Sequence, residues 1–144
     1  MIENDTVKLL RECDAGVKMG ISSINEVLPN VRAENFRRDL TDCRNQHEVL
    51  LQDIKQKLCD HHDSGKDPAA AAKVMSGIKT NVKMAMSESD ETAADLITDG
   101  CNMGVKSLHK YLNKYQAADA DSKGIAKRLI QLEDDLAKQI RQYL

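Results

Sequence analysis

The stretch Ser64-Gly65-Lys66-Asp67-Pro68, running on through Ala69 to Ala72 and ending at Met86, decides how this chain folds. The first five residues break the preceding pattern, with Asp67 placed as an N-cap and Pro68 as a first helical residue. From there Ala71, Met75, Ile78, Val82 and Met86 recur at steps of three and four, which predicts a helix with a narrow apolar stripe. About 20 helical residues span about 30 Å, close to the full length of a helical bundle. Such a helix can carry the chain from one end of a bundle to the other.

Upstream, Leu9, Cys13, Val17, Gly20 or Ile21, Ile24 and Leu28 form one stripe of a helix over 5–28. Pro29-Asn30 ends it. A second helix over 31–61 carries Phe36, Leu40, Cys43, His47, Leu50, Ile54 and Leu58 at alternating steps of four and three. The short turn makes the two an antiparallel hairpin. Downstream, Ser87 to Asp90 marks a new cap. A helix over 91–115 follows, with Ile97, Cys101, Gly104, Leu108, Leu112 and Tyr115 inward. A polar loop is expected over 117–123. The last helix turns Ile125, Leu129, Leu132, Leu136, Ile140 and Tyr143 inward.

The two hairpins look like copies. Cys13-Asp14-Ala15-Gly16-Val17-Lys18 returns as Cys101-Asn102-Met103-Gly104-Val105-Lys106, displaced by 88. Ile54 to Leu58 returns as Ile140 to Leu144, displaced by 86. The expected domain is single, with a hairpin over 5–63, a crossover helix over 67–87 and a hairpin over 90–144. A pseudo-two-fold axis would make the first and last helices parallel.

Composition agrees with an all-α chain. Seven Gly, two Pro, no Trp and 41% hydrophobic residues leave few breakers in 144 residues, enough chain for a core without disulfides. A net charge of −2 provides no basic field for nucleic acid, and Lys73, Lys79 and Lys83 are too few for such a footprint. No apolar run approaches a membrane span, and the acidic start does not read as a signal peptide, so a cytoplasmic location is expected.

The pattern resembles the ferritin-like superfamily, most closely an uncharacterised bacterial branch. That branch carries a Cys-x-x-Gly stretch in its first helix and a Gly-Glu-Asp stretch in its third core helix. Here these correspond to Cys13–Gly16 and Gly100-Cys101-Asn102, with Cys in place of Glu and Asn in place of Asp. The resemblance implies a ferritin-like four-helix bundle of two hairpins joined by a long helical crossover. In the superfamily at large it implies oxygen chemistry at a di-iron centre, but this branch brings no established reaction.

The ligands for that chemistry are incomplete. A di-iron site takes a Glu from each of two helices and a Glu-x-x-His from each of the others. No Glu-x-x-His or Asp-x-x-His occurs anywhere in the chain, nor a His-x-x-x-Glu or His-x-x-x-Asp. A phosphate-binding glycine loop and Cys-x-x-Cys are absent as well. Cys13, Cys43 and Cys101 fall on core stripes and read as small buried hydrophobes. Cys59 and His62 lie one turn apart at a helix end, which reads as a solvated terminus before it reads as a metal site.

Gly16-x-x-x-Gly20 and Gly100-x-x-x-Gly104 cost helix stability, up to about 1 kcal/mol per glycine. Close helix packing explains them most simply; a ligand pocket or a second subunit is the alternative.

The expected function is therefore a non-enzymatic binding or structural module that has lost its metal centre and needs no cofactor. It would act as a homodimer or with a protein partner, with Met75, Met84 and Met86 as a sticky surface. The alternative is a divergent metal or redox protein holding iron or another transition metal. Counting from each hairpin turn brings Glu12, Cys13, His47, Cys101 and Glu133 toward one mid-bundle layer. A hydrogen bond between His47 and Glu133, direct or through water, is expected there.

Overall fold

The computed structural model describes residues 2–66 and 89–144. The expected crossover helix, its stripe and its three methionines lie outside the described residues. Within them the fold is all-α: α1 (Ile2–Val27), α2 (Glu34–Asp60), α3 (Asp90–Lys114) and α4 (Ala120–Gln139). A 3-10 turn over Leu28–Asn30 follows α1, and another over Ile140–Tyr143 follows α4.

Pro29 stops α1 as expected. Ser89 caps α3 by accepting from the Thr92 N–H. Helix α4 starts earlier than the sequence reading places it, because Asp119 caps it at Ser122 N (2.8 Å) and turns half of the expected polar loop into helix. The last turn tightens to 3-10, which lays Tyr143 flat on Phe36 with ring centroids 4.6 Å apart. Ile54–Leu58 lies in an α-helix, so its repeat counterpart at the C-terminus differs in local conformation.

Two apolar clusters fill the bundle, one at each end. The first joins Ile24 and Val27 of α1, Phe36 and Leu40 of α2, Ala93 and Ile97 of α3, and Leu136 and Ile140. The second joins Leu9 and Leu10, Ile54 and Leu58, Leu108, and Ile125 and Leu129. The end of α1 thus meets the start of α2, the start of α3 and the end of α4. Helices α1 and α4 therefore run in one direction, and α2 and α3 in the other. The chain leaves α2 at one end of the bundle and enters α3 at the opposite end.

Each hairpin turn is tied to the other hairpin. Asp90 at the start of α3 accepts from the N–H groups of Arg32 and Ala33, both at 2.8 Å. At the far end Asp5 accepts from Ala117 N (3.0 Å) and Thr6 Oγ1 from Asp119 N (2.9 Å). These acceptors satisfy turn N–H groups that no helix ladder reaches.

Helix α1 packs against all three other helices. Its buried face is correspondingly wide, and Leu10, Asp14 and Val27 are buried beside the expected stripe.

Candidate functional site: a groove between α1 and α3

Between α1 and α3 lies an apolar groove with a cavity of about 430 Å³. Ala15, Gly16, Met19, Gly20 and Ser23 form one wall; Gly100, Met103, Gly104 and Ser107 form the other. Leu129, Leu136, His47 and Glu133 make the floor, and Glu12, Lys66 and Tyr111 stand at one end. Small residues on both facing helices keep the walls low. A Cβ added at Gly100 would meet nothing within 4 Å, so this glycine borders open space.

Two of the glycines have a different reason. A Cβ at Gly20 would come within 2.9 Å of His47 Nε2, and one at Gly104 would collide with the Glu133 carboxyl. In each hairpin a polar side chain of the second helix occupies the space left by a glycine of the first. That corrects the simpler expectation of close helix packing at these two positions: side chains fill the gap, not backbone. The displacement of 88 relates Gly104 to Gly16, not to Gly20, so the two contacts differ by one helical turn between hairpins.

His47 is 2% exposed. Its Nδ1 donates to the Cys43 carbonyl oxygen at 2.8 Å and lies 3.5 Å from Cys43 Sγ. Burial holds its pKa below the usual imidazole value, against the opposing pull of the Cys43 carbonyl, so the ring is neutral and Nε2 is its acceptor. Glu133 is 8% exposed, and its Oε2 has no hydrogen-bond partner. Burial alone pushes its carboxyl up to about 8, which keeps it protonated at neutral pH.

The expected mid-bundle layer is only partly assembled. His47, Cys101, Glu133 and Glu12 all border the groove. Cys13 does not; it packs with Leu9, Leu10 and Val17 in the other apolar cluster from Cys43 and Cys101. Glu12 is engaged at the groove end by Lys66 Nζ at 2.6 Å. The direct His47–Glu133 hydrogen bond is not made: His47 Nδ1 bonds to the Cys43 carbonyl, and Glu133 Oε2 has no partner. The count from the turn placed His47 level with Cys13, whereas it meets Gly20, about two turns nearer the hairpin turn. Helical side chains lean toward their own N-terminus, which shifts His47 in this direction by about one position and so accounts for only part of the offset.

Among the described residues no group of three or more His, Cys, Asp or Glu side chains is placed to hold a metal ion. Burial raises the Cys13 thiol to about 12, with Glu12 adding to it, and raises Cys43 to about 12, with Glu133 adding to it. Cys101 is raised as well, first by burial and then by Glu133 and Cys43. These thiols are protonated at neutral pH and behave as hydrophobes. Cys59 is exposed at the end of α2, one residue from the turn in which His62 adopts a positive φ of 58°.

The sequence reading missed Asp14, which is 1% exposed. Its Oδ2 accepts from Lys18 Nζ at 2.7 Å and from Lys66 N at 3.0 Å, holding the segment after α2 against α1. Gly65 passes beside it at φ +89°, where a Cβ would strike the carboxylate.

No family model, curated protein or solved structure matches this chain.

Proposed function

We propose that this chain is a ferritin-like bundle serving as a non-enzymatic binding module, with the α1–α3 groove as its site. One observation carries the reading: Glu133, 8% exposed with Oε2 unpartnered, lies on the floor of an apolar cavity of about 430 Å³. Small-molecule sites have this make-up, an apolar lining with a few polar groups and a volume of about 300–1,000 Å³. A buried polar atom without a partner costs on the order of 1–3 kcal/mol, and a ligand that supplies the partner recovers it. The parallel course of α1 and α4 supports the ferritin-like part, since two hairpins so arranged require a long connection. Homodimerisation and a cytoplasmic location belong to the same reading, and a monomer mass by light scattering at high concentration removes the dimer.

The groove is tested with a neutral solvatochromic dye such as Nile red. Binding by the wild-type chain is expected, and so is its loss in Gly100→Phe, which adds a ring to the groove wall at a position where a Cβ meets nothing within 4 Å. Dye binding equal in both chains would reject the groove. The metal reading rests on His47 Nε2 and Glu133 Oε2 bordering one cavity. Stoichiometric iron, zinc or manganese in protein purified without an affinity tag would favour it over a small-molecule site.

A further inference from the structure

We propose that the groove takes a lipophilic amine, whose ammonium group pairs with Glu133 on the floor and whose apolar body lies along α1 and α3. The inference rests on the groove reading above and adds the chemistry of the ligand.

The polar atoms of the floor call for a donor. His47 commits its N–H to Cys43, which leaves Nε2 as an acceptor beside Gly20. Glu133 Oε2 has no partner. Once Glu133 has given up its proton, its carboxylate and the imidazole nitrogen together suit a group that carries only donors and a positive charge.

The surrounding charge points the same way. The acids bordering the groove are Glu12 from α1, Asp99 from α3 and Glu133 from α4. Helix α2 contributes Cys43 and His47 near Glu133, α3 adds Cys101, and Asp134 and Asp135 flank Glu133 on its own helix. The one lysine or arginine bordering the groove among the described residues, Lys66, is at its end and is paired with Glu12. A fatty carboxylate would find no free lysine or arginine among the described groove residues and would meet Asp99 at the rim. Among the described residues a divalent metal lacks a third donor, and the apolar walls suit a hydrocarbon better than a hydrated ion. The lining runs from Glu12 to Val27 along α1, about 22 Å at the helical rise, long enough for an extended alkyl chain.

Binding has a proton balance. The amine enters as an ammonium ion, and Glu133 passes from carboxylic acid to carboxylate. Because burial holds that carboxyl protonated at pH 7, about one proton leaves to solvent for each amine bound.

The experiment is isothermal titration calorimetry of the full chain at pH 7 with decylamine, decanol and decanoate, each below its micelle concentration. Phosphate and imidazole buffers, which differ in ionisation enthalpy, report the protons exchanged. Decylamine is expected to bind one per chain with release of about one proton. Decanol should bind about tenfold more weakly or less, and decanoate more weakly still. In Glu133→Gln, decylamine affinity falls about tenfold or more and proton release disappears. Decanol binding as tightly as decylamine, or proton release that survives Glu133→Gln, overturns the amine while leaving the groove, provided Gly100→Phe blocks the probe. Failure of all three probes to bind, or binding unchanged by Gly100→Phe, overturns amine and groove together.

Discussion

Raising the pH should destabilise this protein through Glu133. The carboxyl titrates at about 8 in the folded chain against 4.5 in an open one. Between those values the folded state keeps a proton that the unfolded state has released. Stability then falls as pH rises, by about 1.4 kcal/mol per pH unit for one group. Over the three and a half units the loss reaches about 5 kcal/mol, a large part of the 5–15 kcal/mol typical of a whole domain. His47 acts with the opposite sign at the acid side. Its folded pKa is depressed, so its contribution is present above the usual imidazole value of 6.5 and is lost as pH falls below it. Comparing wild type with Glu133→Gln isolates the carboxyl, since His47 is common to both. Urea midpoints at intervals from pH 5 to pH 9 should show the wild type losing stability relative to Glu133→Gln across that range, with the difference levelling off above about pH 8. Parallel curves would show that Glu133 is hydrated or paired when folded, and would falsify its place in a dry floor.

The glycines separate by what stands opposite them. Gly100→Ala should stabilise by about 0.5–1 kcal/mol, the helix-propensity gain with nothing in the way, read from the urea midpoint. Gly20→Ala should instead destabilise by about 1 kcal/mol, because the His47 ring is pinned to Cys43 and cannot yield; removing the ring with His47→Ala should reverse that sign. Asp90→Ala should cost about 1–3 kcal/mol by stripping the acceptor from two N–H groups of the first turn. A thiol reagent should label Cys59 quickly and reach Cys13, Cys43 and Cys101 only with urea; more than one fast thiol per chain would contradict their burial.

The core of α2 was legible because that helix buries one stripe: all seven of Phe36, Leu40, Cys43, His47, Leu50, Ile54 and Leu58 are buried. Helix α1 was read less completely. It packs against three helices, so Leu10 and Val27 are covered by contacts that its own periodicity does not encode. Asp14 illustrates the limit, since the backbone N–H that it holds belongs to Lys66, 52 residues away. Periodicity describes a helix's own faces; how many neighbours cover them is a tertiary fact. In the groove the residue types were found but not their partners. His47 and Glu133 were selected by level in the bundle, and the inward glycines were noticed separately. That Gly20 and Gly104 make room for these side chains follows from side-chain direction and inter-helix spacing, neither of which sequence spacing reports.

The ties made by Asp90, Asp5 and Thr6 have a consequence for how the molecule is put together. Each hairpin holds, near the start of its first helix, the acceptors for the other's connecting turn. A hairpin alone would have those N–H groups facing water and half of both apolar clusters uncovered. The protein is in this sense a heterodimer written on one polypeptide. Residues 5–66 and 89–144, supplied as separate chains, should associate through these ties and clusters, and one of them should gain its helical signal only on mixing with the other.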